Sequence, residues 1–544
     1  MIKIKKTGSY RIRTLTKIFS IFSLMLLMPV SNALGVDQVV GFNYSPYPNG
    51  YQFPNFNGHA LTPDDFYNVY GIYLNNTTSL KTKFFYDHFF TASGGNCFGM
   101  SASSLILYSH GINAWDYSKS DLIPDNWKGF IPFHNVSNVQ TVQDWIQYCQ
   151  TLQYGEACLF DFSRSQGTKN VYNKLKSLLK SADTTPQVLA IGGWGENDSS
   201  NKLNFEQHGV VPYKIEENSI LTNWEVNESS ESTSNRIPID TGFIYVYDPN
   251  YPQNSTSVSG SKLTVYLNNW TLLAPDIPSN SQVLIGLFGL DAITSPPKIP
   301  SSLAELGIGD SHLLYTDSSG RKLGFDKGVF KYEIPGTIPR ICSDQENFNS
   351  SFPEAYYVPD PSIKMELYGL KNSVSNVSMM TPEGLIVAKV PVSLNSIHEF
   401  KVLNNGTGLY FNSENSNTSS LSVMLDIETS DHSQIVNASF SQIEAGGSVN
   451  LSNDNGTITV QNKGLPRTCN MSVEQATSGQ NSNITINDIA IEADSTVHIE
   501  PSNWNDISNS TVTIDDVGSN GTIYYTETIN PNNLSDVIKE CKDK

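Results

Sequence analysis

From Pro296 to the end of the chain there are few helical patterns. Apolar and polar residues alternate instead in short runs, such as Thr457–Gln461 (TITVQ), Ser495–Glu500 (STVHIE), Thr511–Ile514 and Thr522–Thr526, with Gly, Asn and Ser between them. A period of two buries one face of a strand and wets the other, so this half is expected to fold as an all-β, sandwich-like region of packed antiparallel sheets. Pro296-Pro297 and Pro300 mark a linker at its start. A boundary near residue 390 divides it into a β-rich domain, 296–390, and a β-sandwich-like domain, 391–544. Ile443-Glu444-Ala445 and Ile491-Glu492-Ala493 each precede a similar strand pattern, as members of a repeat do.

The segment before the linker has a different grammar. Phe98, Ala102, Leu105, Ile106 and Ser109 share one helical face, and Gly111 is a natural stop. Val142, Trp145, Ile146 and Cys149 repeat the same spacing and put Cys149 on a core-facing stripe. Val171, Leu175, Leu178 and Leu179 make a third amphipathic helix. Strands then follow at Gln187–Ile191, His208–Ile215, Gly242–Tyr247 and Leu263–Leu267, which predicts an α+β domain over residues 34–295. Its first part, 34–92, is an irregular lead-in rich in aromatics, Pro and Gly. Thr62, Pro63 and the acids after them form a helix start inside it. These aromatics either pack the core or belong to a pro-segment that covers a cleft. A chain of 544 residues with 38% hydrophobic residues has the material for such a multidomain protein.

The N-terminus reads as an address. Lys3, Lys5, Lys6, Arg11, Arg13 and Lys17 precede an apolar core, Ile18–Val30, and the small residues Ser31-Asn32-Ala33, so residues 1–33 are expected to be a secretory signal peptide. The apolar run is too short to span a bilayer comfortably, and no second run of membrane length follows. Asn-x-Ser/Thr sequons, including Asn75, Asn254, Asn405, Asn455 and Asn520, fit a secreted or cell-surface glycoprotein. A net charge of −19 argues against nucleic acid as a partner. Of six cysteines, Cys149 and Cys158 are close enough in sequence to pair, and Cys469 and Cys541 are placed to tie a C-terminal domain together.

The chemistry concentrates on three residues. Cys97 follows Ser93-Gly94-Gly95-Asn96 and opens the Phe98–Ser109 helix. A thiolate at a helix N-terminus is stabilised by unpaired N–H groups and by the helix dipole. His208 begins an apolar strand and is followed by Gly209, which leaves room at a crowded site. Asp248 closes the next strong strand; on an antiparallel neighbour it would lie near the imidazole and fix its tautomer. Asn250 is an alternative orienting residue. No cofactor or metal is called for. His59, His88, His110 and His134 show no metal-binding spacing, there is no CxxC pair, Asp64-Asp65 and Asp515-Asp516 lack a calcium-loop pattern, and no GxSxG motif points to a serine hydrolase.

These motifs carry a family resemblance. Gly95-Asn96-Cys97-Phe98-Gly99-Met100-Ser101 resembles the nucleophile motif of papain-like cysteine peptidases. Gln207-His208-Gly209-Val210-Val211-Pro212-Tyr213 resembles their histidine strand, and Val246-Tyr247-Asp248-Pro249-Asn250-Tyr251-Pro252 the strand of their third residue. The pairing of a His strand with Asp-Pro is also similar to bacteriocin-processing cysteine peptidases. Asp317–Arg321, Glu333–Gly336 and the lead-in are similar to poorly characterised secreted proteins with a papain-like core and a β-rich tail. The likeness covers roughly residues 40–340. It implies a Cys-bearing helix packed on an antiparallel sheet, with Cys97 as nucleophile, His208 as base and then acid, Asp248 as the residue that orients it, and an acyl-enzyme formed on a peptide or protein substrate. The family's oxyanion-hole Gln, six residues before the nucleophile, is replaced here by Thr91; Asn96 is the candidate donor in its place. The expectation is a secreted thiol hydrolase, with cell-surface components as partners of the β-rich tail. The alternative is a non-catalytic surface or adhesion glycoprotein that uses the same core as a scaffold.

Overall fold

The computed structural model describes residues 35–529 except for 42, 59–61, 71–78, 91–94, 131–138, 182–185, 197–202, 220–239, 253–261, 274–281, 307–309, 341–354, 361, 429–431, 455, 478–479, 510 and 520. The expected signal segment, His59, Thr91, Ser93, Gly94, His134, Cys342, Cys541 and the sequons at Asn75, Asn254, Asn455 and Asn520 lie outside the described residues. The protein is mostly β, with large antiparallel sheets and a small helical part near its N-terminus.

The helical part comprises α1 (Pro63–Tyr70), α2 (Leu80–Phe85), α3 (Cys97–Ser109), α4 (Val142–Leu152), α5 (Glu156–Arg164) and α6 (Thr168–Lys180). α1 starts at Pro63, where the sequence places it. α4 is entered through a reciprocal cap: Asp144 N donates to Thr141 Oγ1 at 3.2 Å, and Thr141 N to Asp144 Oδ2 at 2.9 Å. α3 is the central helix, with every residue from Phe98 to Leu107 buried. A helix buried all round needs small residues where others cross it. At Gly99 a Cβ would come within 2.2 Å of the Ile146 carbonyl oxygen on α4.

Seven strands form the first sheet: β1 (Gly35–Gly41), β2 (Val188–Glu196), β3 (Leu203–Ser219), β4 (Asp240–Tyr247), β5 (Lys262–Tyr266), β6 (Thr271–Leu273) and β7 (Gln282–Phe288). Their order is β6-β5-β4-β3-β2-β7, with β1 also paired to β3. β3 is long enough to serve two sets of neighbours. Its first half pairs with β2, and its second half with β4 and β1 after a register shift between Pro212 and Lys214. Val171, Tyr172, Leu175 and Leu179 of α6 pack with Leu189, Ile191, Val210 and Val246, while Val188, Val211 and Tyr247 join the core of α3–α5. The sheet is therefore covered on both faces.

The lead-in is part of this core. Tyr44 and Tyr51 are fully buried; Tyr51 Oη donates to Ser103 Oγ on α3 at 3.1 Å, Tyr44 Oη lies 3.1 Å from Ser104 Oγ, and Tyr51 N donates to Tyr247 Oη at 3.1 Å. Pro46, Asn49 and Gly50 are buried with these two tyrosines, and Phe53 and Phe56 pack partly buried against the same core.

The remaining strands, β8 (Leu303–Leu306) through β27 (Ile523–Ile529), form two antiparallel sheets. One runs β11 (Val329–Tyr332), β10 (Lys322–Asp326), β9 (Ser311–Thr316), β14 (Lys364–Gly369), β17 (Ile397–Leu403), β18 (Gly408–Ser413), β21 (Ser448–Asp454), β22 (Thr457–Lys463), β25 (Ser495–Pro501), β26 (Val512–Gly518) and β27; the other runs β12 (Ile338–Arg340), β13 (Ala355–Tyr357), β8, β15 (Ser373–Met380), β16 (Gly384–Val392), β19 (Leu421–Glu428), β20 (His432–Phe440), β23 (Arg467–Thr477) and β24 (Gln480–Ile491). From β15 (Ser373–Met380) onward the chain lays two strands in one sheet, crosses, and lays two in the other. Four of these crossings carry a residue with positive φ shortly before the new strand: Asn395 (61°), Gly446 (81°), Gly464 (117°) and Asp494 (51°). The resemblance between Ile443–Ala445 and Ile491–Ala493 marks two of these equivalent crossings. Residue 390 lies inside β16 (Gly384–Val392), which pairs without interruption with β15 and with β19 (Leu421–Glu428), so both sheets continue through the expected boundary. Among the described residues no helix is long and apolar enough to cross a membrane.

The cysteines correct an expectation. Cys149 and Cys158 are separate buried thiols rather than a disulfide, and Cys469 is a buried free thiol as well. Cys149 lies on the core stripe of α4, where burial pushes its thiol well up.

One buried carboxyl where α2 meets the tail yields a stability prediction. Ser79 Oγ donates to Glu428 Oε2 at 2.6 Å and Lys81 Nζ to the Thr381 carbonyl at 2.5 Å, pinning α2 to β19 and its neighbours. Asp426, on the same strand, has no exposed surface and is hydrogen-bonded to Glu428. Burial first, and then the Glu428 charge, push its carboxyl up to about 9. The folded state thus holds a proton that the unfolded chain releases near pH 4. The stability this contributes is complete below that pH and is lost as pH rises through about 9. Asp426→Asn is expected to leave stability unchanged near pH 4 and to raise it at pH 8 by on the order of 2 kcal/mol. Urea unfolding at the two pH values tests this, and equal effects at both would reject it.

Candidate active site

The N-terminus of α3 carries the nucleophile candidate. Asn96 is the N-cap, but its side chain does not cap the helix. The donors of the first turn are therefore free for other work. Gly99 N donates to Gln150 Oε1 at 2.6 Å, and the Phe98 N–H favours the Cys97 thiolate. Gly209 N, from β3, donates to Cys97 Sγ at 3.4 Å. The sulfur thus accepts from a main-chain N–H of the strand beneath it, while a main-chain N–H of its own helix stabilises the charged form. α3 comes this close to β3 because position 209 is glycine: a Cβ there would stand 2.8 Å from Phe98 Cα. Ser101 Oγ fixes the contact by donating to the Gly209 carbonyl at 2.8 Å.

The sheet register brings the histidine and the acid together. Val211 on β3 is opposite Tyr247 on β4. Continued by one residue, this places Asp248 opposite Val210 and diagonal to His208 on the same side of the strand pair. His208 Nε2 lies 2.7 Å from Asp248 Oδ1, and the imidazole and the Cys97 thiol are close enough to shift each other's protonation. With Nε2 committed to the carboxylate, Nδ1 is the ring nitrogen left for the sulfur. Cys97, His208 and Asp248, which are far apart in sequence, therefore form one continuous chain of contacts.

Their protonation is mutually adjusted. Burial opposes the imidazolium, but the hydrogen bond it donates to Asp248 and the contact with Cys97 outweigh this and raise His208 to about 10. Burial likewise opposes the thiolate, but the hydrogen bond and charge of His208, with the Gly209 and Phe98 N–H groups, hold Cys97 below its ordinary value. The arrangement favours a thiolate beside an imidazolium. The imidazole and carboxylate are well enclosed, with side chains 14% and 5% exposed, while Cys97 is half-buried.

Two other expected site residues are corrected. Asn96 is buried, and its Nδ2 donates to the carbonyls of Phe56 at 2.8 Å and Gly58 at 3.1 Å, so its amide is turned into the lead-in and away from an oxyanion position. Asn250 does not orient the imidazole. Its main-chain N donates to Asp248 Oδ1 at 2.9 Å, and its Oδ1 accepts from Asn55 Nδ2 at 3.0 Å. Asn55 is the residue that sequence reasoning missed: it lies in an aromatic, Pro-containing loop where no spacing ties it to Cys97 or Asp248.

In comparison with known proteins, no family model matches the chain, and neither a curated protein nor a solved structure matches it.

Proposed function

We propose that this chain is a thiol hydrolase, a cysteine peptidase with a papain-like core, that cleaves peptide or protein substrates through an acyl-enzyme on Cys97. The observation that carries the reading is the contact chain from the half-buried thiol through His208 to Asp248. A scaffold without chemistry has no need of a histidine held between a carboxylate and a thiol at a helix N-terminus, which is why catalysis is favoured over the adhesion reading.

The Cys97 thiolate attacks the substrate carbonyl carbon, a C–S bond forms, and the carbonyl π pair moves onto oxygen. The Cys97 N–H, which has no partner among the described residues, is the main-chain donor for that oxyanion. As the C–N bond breaks, the imidazolium gives its proton to the leaving amine. Neutral His208 then takes a proton from water, whose oxygen attacks the thioester carbon, and the thiolate departs. Asp248 holds the ring in one orientation through both half-reactions. Residues 1–33, read as a signal peptide, place this reaction outside the cell, and the β-rich tail is assigned to attachment at a surface.

Iodoacetamide labelling of the native chain at pH 6, read by peptide mass spectrometry, tests the reading. Cys97 is expected to label rapidly and Cys149, Cys158 and Cys469 slowly, because the last three are buried and burial raises Cys469 to about 12. His208→Ala is expected to slow Cys97 by about 100-fold at this pH. Cleavage of a peptide library by the wild type, and none by Cys97→Ser, completes the case. A Cys97 that labels slowly and independently of His208 would return the chain to the scaffold reading.

A further inference from the structure

The three groups of the site stand on three pieces of chain: the N-terminus of α3, the middle of β3, and the loop after β4. Two sides of that triangle are built by neighbouring elements. The β3–β4 register sets His208 against Asp248, and the contacts of Gly209 with Cys97 and Ser101 set α3 against β3. The third side, from the nucleophile's loop to the loop of the acid, has no strand pairing to hold it.

Asn55 closes that side. Its Oδ1 accepts from the main-chain N of Asn96, the residue before Cys97, at 2.9 Å, and from Phe56 N at 2.9 Å. Its Nδ2 donates to Asn250 Oδ1 at 3.0 Å, and its own N donates to the Pro249 carbonyl at 2.8 Å. Asn250 N in turn donates to Asp248 Oδ1, the same oxygen that His208 Nε2 contacts. The cysteine loop makes room for it: a Cβ at Gly95 would stand 3.1 Å from Asn55 Nδ2.

We infer that Asn55 is a positioning residue of the Cys97–His208–Asp248 site, its one carboxamide fixing the distance between the loop of the nucleophile and the loop of the acid. The inference rests on the thiol-hydrolase reading of that site. The amide is used in both senses, with the oxygen accepting on the cysteine side and the nitrogen donating on the acid side. Aspartate keeps the first half and sets a charge against Asn250 Oδ1. Alanine loses both.

The test is iodoacetamide labelling of Cys97 in the full chain from pH 4 to pH 9, in wild type, His208→Ala, Asn55→Ala, Asn250→Ala and Tyr51→Phe. Asn55→Ala is expected to raise the midpoint of labelling by about one pH unit, which slows labelling at pH 6 by about tenfold. Asn250→Ala removes the acceptor at the far end while keeping the main-chain N–H on Asp248, and is expected to shift the midpoint in the same direction by less. Tyr51→Phe removes another hydrogen bond between the lead-in and α3, to Ser103, and is expected to lower the melting temperature without moving the midpoint. That separates positioning from mere anchoring of the segment. A wild-type midpoint in Asn55→Ala overturns the inference alone. A wild type without a His208-dependent, lowered midpoint overturns the thiol-hydrolase reading and the inference with it. Should Asn55→Ala fail to fold, Asn250→Ala decides: an unmoved midpoint there overturns the inference.

Discussion

Asp248→Ala is expected to lower peptide-bond turnover by on the order of 10³-fold and to shift the alkaline limit of the reaction toward neutrality. The first effect follows from orientation: without the carboxylate 2.7 Å from Nε2, nothing in the site selects the ring rotamer or the tautomer that faces Cys97. The second follows from charge. His208 is raised to about 10 against burial, with the Asp248 hydrogen bond the largest upward contribution. A raised histidine lends stability that is complete below its unfolded value, about 6.5, and is lost as pH rises through the folded value near 10. Removing the carboxylate moves the upper end of that window down. The pH profile of kcat/KM, together with the pH at which labelling of Cys97 ceases to depend on His208, measures the shift. Asp248→Asn separates the two effects, because its amide oxygen still accepts from Nε2 but carries no charge. It is expected to retain more turnover than alanine while showing a similarly shortened alkaline window. An alkaline limit in Asp248→Ala that matches the wild type would show that the acid does not govern the histidine's charge.

Gly99→Ala is expected to be strongly destabilising and to disturb the candidate site at the same time. The new methyl would need to share space with the Ile146 carbonyl oxygen at 2.2 Å, Gln150 N at 2.9 Å and Gln150 Cβ at 3.0 Å, all on α4. Two of these are backbone atoms of a packed helix and cannot rotate away. The helices must separate, and the bond from Gly99 N to Gln150 Oε1 goes with the contact. Overpacking of this kind costs about 3 kcal/mol. Because the strain falls two residues from the nucleophile, labelling at Cys97 should lose its His208 dependence as well. Gly129→Ala, where a Cβ meets nothing within 4 Å, is the matched control and is expected to be neutral. Urea midpoints for the two variants give the comparison. A Gly99→Ala protein as stable as the wild type would mean that α3 and α4 are not packed as closely as described.

What could be read from the sequence, and what could not, follows from the range of the forces involved. α3, α4 and α6 announce themselves through residues three and four apart, and the strands through alternation, because those patterns are local. Cys97 and Asp248 are legible one at a time, from a helix start and a strand end; His208 is legible from the apolar run after it, but the expected strand start is corrected, since β3 begins at Leu203 and carries His208 in its interior. α5 was not, because its buried residues, Cys158, Leu159 and Phe162, sit among polar neighbours behind a glycine cap. Asn55 was hidden for a stronger reason. Its partners lie 41 and 195 residues away, and nothing in Phe-Pro-Asn-Phe distinguishes an amide that bridges two loops from one that faces water. The same distance limit misled the reading of Asn96, whose place beside the nucleophile suggested a donor role that its burial against Phe56 and Gly58 forbids. In the tail, alternation reveals strands, but which strand pairs with which is decided by the crossings, and single residues such as Asn395, Gly446, Gly464 and Asp494 mark those.

The tail's way of crossing between its sheets makes its length adjustable in whole steps. Each pair of strands touches mainly the pair before it and the pair after it in the same sheet, so a four-strand unit, such as the one between the turns at Gly446 and Asp494, is a removable course in a wall rather than a keystone. Taking one out or adding one preserves the alternation of inward and outward side chains, because an even number of strands changes in each sheet. It alters the reach of the stack by two strand spacings, about 10 Å, and leaves the helical half untouched. The distance from the thiol to the far end of the molecule is thus a quantity that insertion or deletion can tune without disturbing the chemistry.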